Sequence, residues 1–481
     1  MTNQDQLVRT RMAPSPTGDI HVGSMATLLK NYAFAKKHGG KFVLRIEDTD
    51  QMRLVPGAVE EIYQIIKDYG LSWDEGPDVG GEYGPYVQSE RLDIYQEKAQ
   101  ELVEKGAAYY CFCSKERLEE VREASRAAKT PPKYDRHCLN LGSEEVQAKL
   151  AAGESYVIRL KVPDDQQISF TDLIRGEITF HSSEVDDQVL MKSDGFPTYH
   201  LAVVVDDHLM KISHIMRGEE WISSTPKHIL LYQAFGWEPP IYTHLPVFLN
   251  PDGKGKMSKR KGTVSARSFL ERGFLPEAML NFFMILGWTP QDQRELLTLE
   301  EYIQEFDPAG ISAKSVIFDL QKLRWLNGVY IRKLTLTELD QQLTKFYPDD
   351  FPRDKAELIL PLIHERLEVL NDIEELTHFF YRDISPEPAL LIKKSSAEQV
   401  QAQLGETVAT LNRLDEWTVD AIEQSVRQLQ EQHDWKKGQY FMMLRIAATG
   451  SKVSPPLFET IHALGKDEII TRLEKSAQLV A

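Results

Sequence analysis

Val8-Arg-Thr-Arg-Met-Ala-Pro-Ser-Pro-Thr-Gly-Asp-Ile-His-Val-Gly-Ser24 is the stretch whose reading decides the fold. Val8–Met12 has strand character, and two prolines and a glycine then break the chain. From Met25 to Lys37 the apolar residues Leu28, Leu29, Tyr32, Ala33 and Ala35 recur at helical spacing. Lys41–Ile46 alternates Phe42, Leu44 and Ile46 as a second strand, and Asp48-Thr-Asp50 follows it. Strand, helix, strand with loop chemistry at the strand ends is an α/β signature. His21 and Gly23 fall at the start of the helix, where unpaired N–H groups and a partial positive charge attract anions.

Further along, the texture changes. From about Pro85 to residue 195 the chain mixes helical patterns (Ala99–Gly106, Lys115–Lys129) with short strands (Tyr156–Val162, Ile168–Phe170, Glu177–Phe180), as an α+β insertion would. Tyr199-His-Leu-Ala-Val-Val-Val205 reads as a buried strand ending in Asp206-Asp207, and Ile229–Phe235 as a helix stopped at Gly236. Beyond about 290 the pattern is almost wholly helical. Capping-box spacings occur at Thr298/Glu301 and Thr335/Glu338. Two apolar seams fit helical periodicity: Leu358, Ile359, Leu362, Ile363, Leu367 and Leu370, then Ile422, Val426 and Leu429. Boundaries are expected near Gly328 and near Ser385-Pro-Glu-Pro388.

Composition narrows the class. The 481 residues are 42% hydrophobic and 27% charged, a globular balance large enough for about three domains. No apolar run approaches the ~20 residues of a membrane span. The polar N-terminus lacks an apolar signal core. Three cysteines exclude a disulfide scaffold and suit a reducing compartment. A cytoplasmic chain without membrane contact is therefore expected. The net charge of −17 excludes a basic coat, though not a nucleic-acid partner met by local lysines and arginines.

A second motif changes the weight of the first. Gly253-Lys-Gly-Lys-Met-Ser-Lys-Arg-Lys-Gly262 is a glycine-flanked basic loop that suits a polyanion. Alone, His-x-Gly is a chance match and a lysine-rich loop is a solvated surface. In this order, and with the first on a strand–loop–helix, the pair resembles the ATP signatures of class I aminoacyl-tRNA synthetases. The resemblance extends to the bacterial-type glutamyl-tRNA synthetases over essentially the whole chain. It rests on Arg11-Met-Ala-Pro-Ser-Pro-Thr-Gly18, Arg45-Ile-Glu-Asp-Thr-Asp50, Gly195-Phe-Pro-Thr-Tyr-His-Leu-Ala202, Asp206-Asp-His-Leu-Met210 and Arg217-Gly-Glu-Glu-Trp221. Phe318–Asn327, Leu444–Gly450 and Ser454-Pro-Pro-Leu-Phe458 fit as well.

This resemblance implies a multidomain protein: an α/β Rossmann-type catalytic domain (1–84 with 196–240), an inserted α+β acceptor-end-binding domain (85–195), and a stem-contact region with the second ATP motif (241–328). Two helical anticodon-binding subdomains (329–385 and 386–481) make the C-terminal region all-α. It also implies ligation of L-glutamate to tRNA(Glu) through glutamyl-adenylate, with ATP and Mg2+, by a monomer. Charging of tRNA(Gln) stays open. Thr17, His21, Gly23, Glu220, Trp221, Lys256, Ser258 and Lys259 are implied at the ATP site. Arg11, Ala13, Ser15, Glu47, Tyr199 and Arg217 are implied around glutamate, with Arg11 on the side-chain carboxylate and Glu47 on the ammonium group. A γ-carboxylate is read against neutral glutamine by a cation of fork geometry. Arg366 matches the position that meets the third anticodon base.

There are departures from the pattern. Ser24 stands where the class has a second His, Arg260 where it has Ser, and Val203 where some relatives have Asn. Some relatives hold structural zinc with three Cys and a His or Tyr. Here Cys111, Cys113 and Cys138 lie near Tyr134 and His137, while Asn140 occupies a relative's His position. Zinc and a bare thiol cluster both remain open. Two rivals fit less well: glutaminyl-tRNA synthetases have a β-barrel anticodon region, and the relatives that glutamylate a tRNA base lack residues like 330–481.

Overall fold

The structure, a computed structural model, describes residues 7–257, 264–393 and 395–480. The chain divides into two compact units. One holds residues up to Leu270 together with Met279–Leu320; the other holds Glu271–Ala278 and the chain from Gln321.

The first unit starts as expected. The strand Arg9–Met12 pairs in parallel with Lys41–Leu44, and the helix Val22–Lys37 crosses between them. Gly40 makes the return possible, because a Cβ there would lie 2.0 Å from the Val8 carbonyl oxygen. A four-stranded sheet carries Gly176–His181, Gln167–Asp172, Ile241–Leu245 and His214–Gly218, in that spatial order. The last two are parallel, and Ser213 N–H donates to the Arg9 carbonyl, which sets the first strand beside them. Residues 108–191 add an antiparallel sheet of Ala108–Cys111, Val157–Leu160 and Val189–Met191. The helix Thr225–Phe235 ends at Gly236, whose φ of 75° closes the turn.

One expected element is different. Tyr199–Leu209 is an α-helix, not a strand. Residues 201–207 are buried without interruption, and a helix buried on all sides gives the same unbroken apolar run as a central strand. The two aspartates at its end mark the difference. Adjacent strand residues point to opposite faces, whereas adjacent helix residues lie about 100° apart and can serve two neighbouring networks. Asp206 accepts from Gln88 Nε2, Arg91 Nε and Tyr95 OH, each at 2.8 Å. Asp207 accepts from Arg45 at 2.8 Å and from Arg11 at 3.2 and 3.4 Å.

The second unit is helical, and Ile359, Ile363, Leu367, Leu370, Ile422 and Val426 belong to its core. The first apolar seam is narrower than periodicity suggests: Leu358 is 46% exposed and Leu362 half-buried. The helix Ala356–Ile363 contains Pro361, which cannot donate to the ladder, and after one 3-10 turn (His364–Arg366) the chain becomes extended at Leu367. Both expected capping boxes form, at Thr298/Glu301 and Thr335/Glu338. The helix Leu320–Lys333 runs unbroken through Gly328, and the two units part at its first residue. No described helix is long and apolar enough to cross a membrane.

Removing one partner of a buried ion pair leaves an uncompensated charge, at a cost of about 3–5 kcal/mol. Asp206→Ala strands Arg91, which is 3% exposed. A loss of that size in urea unfolding is expected, and an unchanged midpoint would contradict the network's role.

Candidate active site

The N-terminus of the Val22–Lys37 helix opens into a cavity of about 840 Å³. His21 is its N-cap, and its Nδ1 accepts from Gly23 N–H at 2.9 Å. The ring proton of neutral His21 therefore sits on Nε2. A Cβ on Gly23 would press on this ring at 3.1 Å. Arg11, Ala13, Ser15, His21, Gly23, Glu47, Tyr199, Arg217, Glu220, Trp221 and Lys256 all line this one cavity. Thr17 lines an adjoining one with Ser15, His21 and Glu47.

Two of the guanidiniums that line the cavity, Arg11 and Arg217, have different settings. Arg11 faces Asp207, which it shares with Arg45. Arg45 also holds Glu47 at 2.9 Å. Burial raises the Glu47 pKa, and Arg45 pulls against that rise. Arg217 has no carboxylate within ion-pair distance among the described residues. Its partners are His244 Nε2 (3.1 Å), Tyr199 OH (3.3 Å), His228 Nδ1 (3.3 Å) and Thr225 Oγ1 (2.8 Å). The Tyr199 ring lies 4.2 Å from that of Trp221, so these two aromatics wall the cavity together.

From the second motif, Lys256 pairs with Glu220 at 3.1 Å. Ser258 and Lys259 lie outside the described residues. A residue that sequence reasoning missed is Lys30. It lies on the same helix face as Gly23 and Thr27, is 3% exposed, and its ammonium group donates to the Phe283 carbonyl at 3.2 Å. Burial pulls its pKa down to about 8. A lysine inside the apolar period of a helix was the available signal.

Away from the cavity, the sulfurs of Cys111, Cys113 and Cys138 lie within 4.8 Å of one another. Tyr134 OH is 3.4 Å from Cys111 Sγ and 3.3 Å from Cys113 Sγ. His137 is exposed, and Asn140 donates to the Arg136 carbonyl. Three sulfurs and one oxygen thus converge, the donor number of a structural zinc site. In the other unit Arg366 is exposed, in the 3-10 turn His364–Arg366. Its charge adds to burial in lowering the pKa of Arg445.

A parallel strand pair, a helix N-terminus opening into the cavity, and a lysine of the second motif among its lining suit the binding of phosphates, as in a nucleotide-activating enzyme. Comparison with known proteins agrees. The family described as tRNA synthetases class I (E and Q), catalytic domain, matches residues 7–325, and the anticodon binding domain family matches 334–477. A glutamate–tRNA ligase of Dehalococcoides mccartyi is 47% identical, over 98% of this chain and 97% of that protein. One from Clostridium botulinum is 46% identical, over 98% of each. The crystal structure of a glutamate–tRNA ligase from Elizabethkingia meningosepticum, in complex with its amino acid, superposes with a TM-score of 0.89. That match has 35% identity and covers 99% of this chain and 100% of that one. The chain belongs to the glutamate–tRNA ligases of the class I tRNA synthetase family.

The histidines behind Arg217 make stability depend on pH. Burial, with repulsion from Lys227 and Arg217, lowers His200 to about 3. An unfolded histidine takes its proton near pH 6.5, so this advantage is complete above that pH and is lost as pH falls toward 3. Between pH 7 and pH 5, His200 alone accounts for on the order of 2 kcal/mol. Thermal midpoints should drop over that interval, and His200→Gln should flatten the drop. An equal slope in the variant would contradict this assignment.

Proposed function

We propose that the cavity activates L-glutamate with ATP and passes it to tRNA(Glu). A carboxylate oxygen of the glutamate α-carboxyl attacks the α-phosphorus of MgATP, forming the mixed anhydride and expelling pyrophosphate. A hydroxyl of the terminal adenosine, the 2′-hydroxyl in class I, then attacks the acyl carbon. It loses its proton, and AMP leaves. The chain contributes placement and electrostatics rather than a covalent group. The helix N-terminus, the His21 Nε2 proton and Lys256 favour charge building on the phosphates, with Lys259 and Ser258 of the same motif. Gly23, Thr17, Glu220 and Trp221 bound the nucleotide.

The observation that carries the reading is Arg217, a buried cation with no carboxylate at hand among the described residues, lining the same cavity as a second guanidinium, Arg11. The substrate's γ-carboxylate completes it. This shifts weight from Arg11 to Arg217, because Arg11 already faces Asp207. Tyr199, Ser15 and Ala13 shape the pocket, and Glu47 takes the ammonium group. Arg366, exposed and near a second arginine, meets the anticodon. Cys111, Cys113, Cys138 and Tyr134 would hold a zinc ion. It would supply structure, tying the strand Ala108–Cys111 to the loop at Tyr134–Cys138. A cytoplasmic monomer is part of this reading, and the free cysteines suit a reducing compartment.

Aminoacylation with labelled glutamate, ATP and separate tRNA transcripts tests it. Charging of tRNA(Glu) alone is expected, with Arg366→Ala relaxing the exclusion of tRNA(Gln). Failure to charge either tRNA would overturn the enzyme reading, and charging of both by the parent would make Arg366 a general contact. Elemental analysis of purified protein should find about one zinc per chain, lost in Cys138→Ser, as a four-donor structural site requires. Metal-free parent protein would remove the zinc assignment.

A further inference from the structure

The Arg217 fork is held by acceptors that carry no charge. A guanidinium only donates, so every atom facing its N–H groups presents a lone pair. Thr225 Oγ1 spends its own hydrogen on the Trp221 carbonyl at 3.0 Å and so accepts from Arg217 Nη2. Tyr199 OH accepts from Nη1 and keeps its hydrogen for another partner. His244 Nε2 accepts from Nε, which requires its proton on Nδ1; that nitrogen lies 2.8 Å from Asp172 Oδ2. The same carboxylate accepts from the N–H groups of Ile174, Arg175 and His244, so it stays an acceptor and fixes the tautomer. His228 Nδ1 accepts from Nη1, which requires its proton on Nε2; that nitrogen lies 3.1 Å from His200 Nδ1. Four of the five N–H donors of a guanidinium are thereby engaged. One N–H and the Tyr199 hydroxyl hydrogen remain for a ligand.

Four other buried arginines of this unit, Arg9, Arg11, Arg45 and Arg91, each face a carboxylate directly. Arg159, also buried, donates to the Asp187 backbone carbonyl instead. For Arg217 the nearest such group in the network, Asp172, stands behind the His244 ring.

We propose that His228 and His244 are positioning residues for amino-acid selection: as tautomer-fixed neutral acceptors they aim the Arg217 fork while leaving its charge to be matched by the substrate's side-chain carboxylate. A carboxylate in either place would aim the fork equally well but would satisfy it. Glutamine, with a neutral amide, leaves the buried cation unmatched and is rejected by that deficit. The inference rests on the reading that Arg217 meets the γ-carboxylate. Burial and the nearby Arg217 agree with it, lowering the pKa of His228 well below the ordinary value.

Size-matched pairs that differ only in charge test it: His228→Gln against His228→Glu, and His244→Gln against His244→Glu. KM values for glutamate and ATP, and the preference for glutamate over glutamine, are read in pyrophosphate exchange with tRNA present. The Gln variants should raise the glutamate KM about threefold and the Glu variants about 30-fold, with the ATP KM little changed and the preference for glutamate narrowed only by Glu. Equal behaviour of Gln and Glu variants would overturn the proposal. Arg217→Gln separates the two layers: if it leaves the glutamate KM unchanged, the reading of Arg217 itself has failed. Nitrogen-15 spectra of histidine-labelled parent protein need no variant to fold. They should show His228 unprotonated at Nδ1 and His244 unprotonated at Nε2 at pH 7, and an imidazolium at either would overturn the proposal.

Discussion

Two adjacent aspartates at the end of a buried helix organise the catalytic unit. Asp206 gathers Gln88, Arg91 and Tyr95, and Asp207 gathers Arg45 and Arg11. Through Arg45 the network reaches Glu47, just after the second strand. These groups are almost fully buried, where an ion pair gives little net stability but a misplaced charge is costly. The first strand, the second strand and the Tyr199–Leu209 helix are thereby held in one register, and the cavity opens where they meet.

The network also sets the charge of the site. Asp206, Asp207 and Glu47 balance Arg11, Arg45 and Arg91, while Arg217 stands outside this balance. A cation held only by neutral acceptors is the complement of a side-chain carboxylate. The same cavity is lined by a helix N-terminus and by Lys256, a setting for phosphates. The site thus holds both the cation for an amino-acid side chain and the donors for a nucleotide, and the family membership agrees with that physical reading.

Much of this was legible in the sequence, for identifiable reasons. The first strand, helix and second strand follow from alternation, helical period and a proline–glycine break. Both capping boxes follow from Thr and Glu three apart. The Tyr199 segment was misread because complete burial erases periodicity; the adjacent aspartates inside an apolar run were the overlooked sign. Leu358 was placed in the core because Pro361 and the early end of its helix do not alter an apolar pattern. Arg11, Glu47 and Arg217 came from the resemblance, since nothing local distinguishes a ligand-binding arginine from a structural one. His228 and His244 left no signal. Each sits beside another polar residue, Lys227 or Thr243, in a largely apolar helix or strand, and only the fold brings them to Arg217.

The account rests on Arg217 as the group that reads the substrate. The direct measurement is a crystal structure of this protein with L-glutamate bound. The account predicts the γ-carboxylate at hydrogen-bond distance, about 3 Å, from an Arg217 Nη atom and from Tyr199 OH, with the ammonium group toward Glu47. A γ-carboxylate bound elsewhere, with the Arg217 fork still facing only His228, His244, Thr225 and Tyr199, would contradict it.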